Sequence, residues 1–209
     1  MITLTAKITL ADGTEIPLDK RNALAIDQSI VDRSNTLAPS YGIISNSGSL
    51  EIIDYKGEFK SLAQSYRLND RAVATIYLTN TLVKNCSSQM GKYYATQWVY
   101  DDNGQTVRTN LADDLVDWQN IQVEGFNLQN SEMSGLDIYN YLKEETPSRW
   151  QFENLDQTTK QVLEEYIIEN PYLQRGNLWS QWYKLCVACG LYIFKNRQAK
   201  VAVSYDFRS

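Results

Sequence analysis

Among the residues of this sequence that could do chemistry, the cysteines come first, because "LCVACG" places Cys186 and Cys189 in a C-x-x-C. That spacing serves a dithiol redox pair or half of a tetrahedral zinc site. A redox pair works from a helix N-terminus, where the helix dipole lowers the thiol pKa. In "NLWSQWYKLCVACG" the pattern predicts a helix with Asn177 as its N-cap and Gly190 as its stop. The pair therefore falls at the wrong end. Leu178, Trp182, Leu185 and Cys189 recur at helical spacing with Cys186 beside them, while Ser180, Gln181 and Lys184 are expected on the opposite face. A zinc site would need further Cys or His ligands, and only Cys86 remains. The two thiols read as small hydrophobes in a core.

The chain has no histidine. That removes Ser-His-Asp and Cys-His nucleophile pairs, His general bases and HExxH zinc sites. Carboxylates survive the exclusion. Asp113, Asp114 and Asp117 in "ADDLVDW" could offer oxygen ligands to Ca²⁺, but no EF-hand spacing surrounds them. The plainer reading is a turn after a strand, with Asp114 and Asp117 solvated and Leu115, Val116 and Trp118 packing inward. Glu144–Glu145 and Glu164–Glu165 lie side by side on expected helices and read as solvated faces. A glycosidase pair is recognised by its separation in space, and no spacing here signals one. The glycine-containing loops match neither a phosphate-binding loop nor a dinucleotide fingerprint. No catalytic, cofactor or metal residue is assigned, and the expected protein is not an enzyme. Tyr93, Tyr94, Trp98 and Tyr100 remain as an aromatic set suited to a subunit interface or to stacking on sugars.

The elements that would position these residues follow from periodicity. At 209 residues, with 43% hydrophobic and 22% charged, the chain can bury a real core and is too apolar to be disordered. A net charge of −5 disfavours a general nucleic-acid binder, because neutralising phosphates needs a basic surface. The opening "MITLTAKITL" alternates like a strand and not like a signal peptide, and no apolar run approaches the roughly 20 residues of a membrane span. Three cysteines are too few for a disulfide framework, and reduced thiols fit a protein folded in a cytosol.

"ITLTAKITLADGTEIPL" predicts a hairpin, "NALAIDQSIVDRSN" a strand, "LAPSYGIISNSG" a loop and "SLEIIDYKGEF" a strand ending in a turn. A short helix is expected from about Phe59 to Arg67, then a strand in "RAVATIYLTNTLV". "YYATQWVYDDNGQTVRTNLADDL" is a hairpin around Asp102-Asn103-Gly104. Beyond about Gly125 the texture turns helical. "MSGLDIYNYLKEETP" should end at Pro147, and "DQTTKQVLEEYIIENP" should start from Thr158 or Asp156 and end at Asn170-Pro171. The chain closes with a hairpin turning at Asn196–Gln198. The expected class is α+β: an antiparallel β-barrel or sandwich over 1–125, then a smaller domain over 126–209 with three helices and a terminal β-hairpin.

The order of pieces resembles a known family. "YGIISNSGSLEIIDYKGE", "ATIYLTNTLV" and "TQWVYDDNGQTVRTNLADDLVDWQ" are similar to the opening barrel of tail hub proteins of tailed bacteriophages. "NLWSQWYKLCVACGLYIFKNRQAKVAV" resembles the later helix-to-hairpin module of such hubs. The resemblance, to hubs of the T4-like kind, implies a structural virion component made in the host cytoplasm. It implies a homo-oligomeric ring, a trimer before a hexamer, that joins the tail tube to tip or receptor-binding parts as hub or adaptor. It implies other tail proteins as partners, no cofactor and no specific nucleic-acid binding. A mildly acidic surface would suit a channel that conducts DNA. The family's second barrel-like domain is expected to be missing here. The competing functions are a carbohydrate-binding adhesion module using the Tyr/Trp-rich strands and a carboxylate-dependent cell-wall hydrolase.

Overall fold

The computed structural model describes residues 2–18, 25–31, 41–54, 57–64, 71–80, 82, 87–101 and 105–205. The elements are β1 (Ile2–Thr9), β2 (Glu15–Leu18), β3 (Ala25–Val31), β4 (Gly42–Ile43), β5 (Ser45–Ile53), α1 (Glu58–Gln64), β6 (Val73–Asn80), β7 (Ser87–Asp101) and β8 (Thr106–Ala112). A 3₁₀ helix follows (Asp114–Asn120), then β9 (Gln122–Val123), β10 (Phe126–Asn127), β11 (Glu132–Ser134), α2 (Gly135–Glu145) and α3 (Gln157–Glu165). The chain continues through β12 (Ile167–Glu169), β13 (Tyr172–Leu173), β14 (Gly176–Asn177), α4 (Leu178–Cys189), β15 (Tyr192–Lys195) and β16 (Val201–Ser204). They divide between two compact units: Met1–Val31, Asn46–Asp114 and Arg197–Ala199 in the first, and Asp32–Ser45, Leu115–Asn196 and Lys200–Ser209 in the second. The sequence texture changes near 123–130, whereas the contacts change at Asp114–Leu115.

The first unit is one curled sheet, a half-barrel, in the order β2-β1-β6-β7-β8-β5-β3. Its core follows the strand period: Ala6 and Ile8 on β1, Leu50 and Ile52 on β5, Ala74 and Ile76 on β6, and Val107 and Leu111 on β8 are buried. The outer face carries ion pairs such as Arg108–Glu51 at 2.9 Å, which sit opposite each other in the β5–β8 register. Helix α1 begins where Asp54 accepts a hydrogen bond from the Lys60 backbone N–H at 3.0 Å, and its Phe59 plugs the core. Asp102–Gly104 of the expected turn lie outside the described residues, as do Cys86, Pro39 and Tyr55–Lys56. The strands flanking that turn pair as expected, from Tyr94↔Ala112 to Asp101↔Thr106.

Two sequence expectations give way to pairing between distant segments. "YGIISNSG" is not loop: Gly42–Ile43 is β4, which lies parallel to β15, and Ser45 already opens β5. Ile43 and Ile44 are buried. The partner strand lies about 150 residues away along the chain, so turn-forming residues nearby could not reveal it. Likewise α3 stops at Glu165 and not at Asn170, because Ile167–Glu169 pair antiparallel with Glu132–Ser134. Two adjacent β-branched residues, Ile167 and Ile168, are better strand than helix formers.

In the second unit, helices α2, α3 and α4 surround an aromatic stack. Trp118, Phe152 and Trp182 lie nearly parallel, with ring centroids 5.5 to 6.4 Å apart, and Tyr139 and Trp150 meet the stack edge-on. Each helix starts on a side-chain cap: Ser134 with Asp137 in a capping box for α2, Asp156 for α3 and Asn177 for α4. Between Thr158 and Asp156, the structure selects Asp156, which accepts from the Thr159 backbone N–H at 2.8 Å. No described helix is long and apolar enough to cross a membrane.

Candidate functional site

The thiols sit where the helix pattern puts them. Gly190 ends α4 in the left-handed region, at φ 68° and ψ 41°, a conformation glycine adopts without strain. The Leu191 N–H then donates to the Cys186 carbonyl at 2.8 Å. Cys186 is fully buried and Cys189 nearly so, and neither is in a disulfide. A Cβ placed on Gly135 would fall 3.1 Å from Cys189 Sγ, so this sulfur fills the space where α2 begins. Burial pushes the Cys189 thiol up to about 11, and burial together with the neighbouring Cys189 pushes Cys186 higher still. A thiolate is the reactive and metal-binding form, and this environment opposes it. Among the described residues no three Cys, Asp or Glu side chains converge as metal ligands would.

One residue of the expected polar face of α4 is misplaced by the pattern. Gln181 is buried, not solvated. Its Nε2 donates to the Gln174 carbonyl at 2.7 Å, and its Oε1 lies 3.4 Å from Lys184 Nζ. A buried amide needs such partners, and Gly176 makes room: a Cβ there would fall 2.6 Å from Gln181 Nε2. Further along the core, Trp182 Nε1 donates to Thr146 Oγ1 at 3.2 Å, and that hydroxyl donates to the Leu142 carbonyl at 2.7 Å. The Trp98, Trp118 and Trp150 indole N–H groups are buried without an acceptor among the described residues.

The acidic cluster does not form a shared site. Asp113 and Asp114 are buried, so the expectation that Asp114 is solvated is corrected. Leu115 and Trp118 are buried as expected, and Val116 is half-buried. Asp117 is half-buried and pairs with Arg149 at 3.4 Å, whose guanidinium also lies 3.8 Å from the centre of the Trp150 ring. Asp113 precedes the 3₁₀ helix that Asp114 opens, and this helix, which a strand-then-turn reading does not anticipate, carries Asp117 to Arg149.

The four aromatics of β7 are separated by a bulge. Against β8 the register passes from Ala95↔Leu111 to Gln97↔Asn110, leaving Thr96 as the extra residue. An extra residue reverses the alternation of faces, so Tyr93 and Ala95 point to the core before it and Trp98 and Tyr100 after it. Tyr93 is buried, and its phenol is pushed up by burial and then by the Asp113 charge. Its ring covers Gly91: a Cβ there would fall 2.4 Å from the Tyr93 hydroxyl. Trp98 stacks on Phe59, and Lys60 Nζ lies 5.0 Å over the Tyr100 ring. Three of the four pack against the sheet core, and half-buried Tyr94 lies on the other face. Among the described residues the exposed tyrosines lie elsewhere, at Tyr41, Tyr172, Tyr183 and Tyr205. No alternation or helical stripe marks them, because Tyr172 is on β13, Tyr183 on α4, and Tyr41 and Tyr205 lie just outside β4 and β16.

This pairing of a half-barrel with a helix-and-hairpin unit recurs in solved structures. The prophage tail protein gp18 from Listeria monocytogenes matches with a TM-score of 0.57 and 10% identity, over 95% of this chain and 50% of its own. The likeness is one of fold. A tail protein from Neisseria meningitidis matches with a TM-score of 0.52 and 11% identity, over 96% of this chain and 51% of its own. A chain of the Francisella PdpA–VgrG complex matches with a TM-score of 0.54 and 12% identity, over 97% of this chain and 31% of its own. The present chain thus spans about half the length of the two tail proteins and about a third of the third chain. No protein-family model matches the sequence, and no curated protein matches it.

Proposed function

We propose that this chain is a non-enzymatic structural component of a bacteriophage tail, a hub or tail-tip adaptor that forms a homo-oligomeric ring between the tail tube and the tip or receptor-binding parts. The observation that carries this reading is the fold shared with a prophage tail protein over 95% of the chain. The site chemistry agrees with it: the C-x-x-C is core packing, and the acids of "ADDLVDW" are spent on burial and on an ion pair. In this reading the protein is made in the host cytoplasm and ends in the virion, with other tail proteins as partners, and a trimer is favoured over a hexamer. Three of the β7 aromatics pack against the sheet core, which takes from the adhesin reading the rings it would stack on sugars and moves the ring contact of the tail reading to other surfaces.

Light scattering after size exclusion, with electron microscopy of the peak, tests the reading. The expected outcome is a ring-shaped particle of several 24.0 kDa copies that captures tail-tube protein. A chain that stays monomeric at every concentration overturns it. So does clearing of bacterial cell walls that is abolished by a single Glu or Asp substitution.

A further inference from the structure

The second unit carries a tyrosine face. Tyr183 and Val187, one turn apart on α4, are 39% and 51% exposed, and Tyr41 and Tyr205 beside them are 39% and 44% exposed. These rings are seated on main chain. A Cβ on Gly42 would fall 2.9 Å from Tyr183 Cε2, and one on Gly190 would fall 3.4 Å from Tyr41 Cζ and 3.6 Å from Tyr205 Cε2. Tyr192 supports the set from below, its ring 5.4 Å from that of Tyr41. Rings held in this way lose little rotamer freedom on contact, and contiguous tyrosine-rich apolar surface marks protein interfaces.

Charge says what covers it. From Asn170 to Tyr205 there is no Asp or Glu, while Arg175, Lys184, Lys195, Arg197 and Lys200 are basic. From Asp117 to Glu169 the balance reverses, with eleven acids against Lys143, Arg149 and Lys160. Arg175 pairs back to Glu124 at 3.3 Å, and Lys184 is the basic residue of this stretch that the structure places beside the tyrosines. Lys184 is exposed on α4 next to Tyr183. Glu132 and Glu169 are exposed at directly opposed positions of the β11–β12 ribbon, where like charges cost stability, and 53%-exposed Ile167 shares the ribbon. No described Lys or Arg forms an ion pair with either glutamate.

We infer that the tyrosine face docks on the Glu132–Glu169 ribbon of a second copy of this chain, with Lys184 toward the two carboxylates and Ile167 against the rings. The cation relieves the repulsion between the carboxylates, and the tyrosines cover the apolar residue beside them. The two surfaces differ, so the contact is heterologous and repeats from copy to copy until it closes a ring. The inference rests on the reading that the chain self-associates and adds the surfaces that do it.

Sedimentation and light scattering of the full chain at low and high salt test it, with folding checked by circular dichroism. The wild type is expected to associate, and more weakly at ~1 M salt, where charges are screened. K184E and E132K/E169K are each expected to weaken association by about tenfold, with recovery when all three changes are combined in one chain. V187D is expected to weaken it as well, because a carboxylate then faces the apolar part of the contact and the two glutamates beside it. If E132K/E169K alters the fold, K184E and V187D carry the test. A wild type that associates while K184E and V187D associate equally well overturns this inference and leaves the ring standing. A wild type that stays monomeric overturns both.

Discussion

The two units solve the same packing problem with different residues. The first lines a curled sheet with Ala6, Ile8, Leu50, Ile52, Ala74, Ile76 and Val107, one side chain from every second position. The second gathers Trp118, Tyr139, Trp150, Phe152 and Trp182 from separate segments into one stack. A sheet core is many small contributions in a fixed period, so each position matters modestly and is legible locally. An aromatic stack concentrates large buried areas in a few rings whose meeting depends on the whole fold. The second kind of core should be more fragile to single truncations, and its polar edge should matter more.

The largest effect is expected from Trp182→Ala, which removes a ring touching Trp118, Tyr139 and Phe152. It should destabilise the protein by about 3–5 kcal/mol in urea unfolding. A loss below about 1 kcal/mol would end the contrast between the units. Next comes Thr146→Val, which keeps the shape but leaves the Trp182 indole N–H without its acceptor. A cost of about 1–3 kcal/mol is expected, and a neutral result would show that this indole tolerates burial without the Thr146 hydroxyl. Ile52→Val in the sheet core should cost about 0.5–1.5 kcal/mol, and a larger loss would mean that the sheet core is as concentrated as the stack.

The smallest effect concerns the caps. Asp137 is held below its ordinary value of 3.8 by hydrogen bonds from the Ser134 hydroxyl and then the Ser134 backbone N–H. A carboxyl lowered by folding adds stability above its unfolded value, and that contribution is lost as pH falls from about 4 through the lowered value. Asp137→Asn should therefore flatten the stability profile below pH ~4 and cost about 0.5–1 kcal/mol at neutral pH. An unchanged acid limb would show that the capping box is not formed in solution.

Much of the fold was legible in the sequence where it depends on neighbours along the chain. Asn177, Gly190 and the apolar stripe between them define α4, and the alternation in "TVRTNLA" defines β8. The candidate site was legible in part. The buried fate of Cys186 and Cys189 followed from their face of the helix. Gln181 did not, because its burial depends on the Gln174 carbonyl and on the space above Gly176. The β7 aromatics read as one set, but the Thr96 bulge, visible only against β8, turns Trp98 and Tyr100 to the side of Tyr93.

By itself the sequence determined that imidazole chemistry is absent, since the chain has no histidine, and where the capped helices start and the longer alternating strands run, since caps and periodicity act within a few residues. It also laid down the division between an acid-rich stretch and an acid-free one. Only the tertiary structure decided that "YGII" is a strand beside β15, that Asp114 is buried, and that Tyr41, Tyr183 and Tyr205 share one exposed face. Each of these rests on contacts between residues far apart in the chain, and their energies appear only once the fold has brought the partners together.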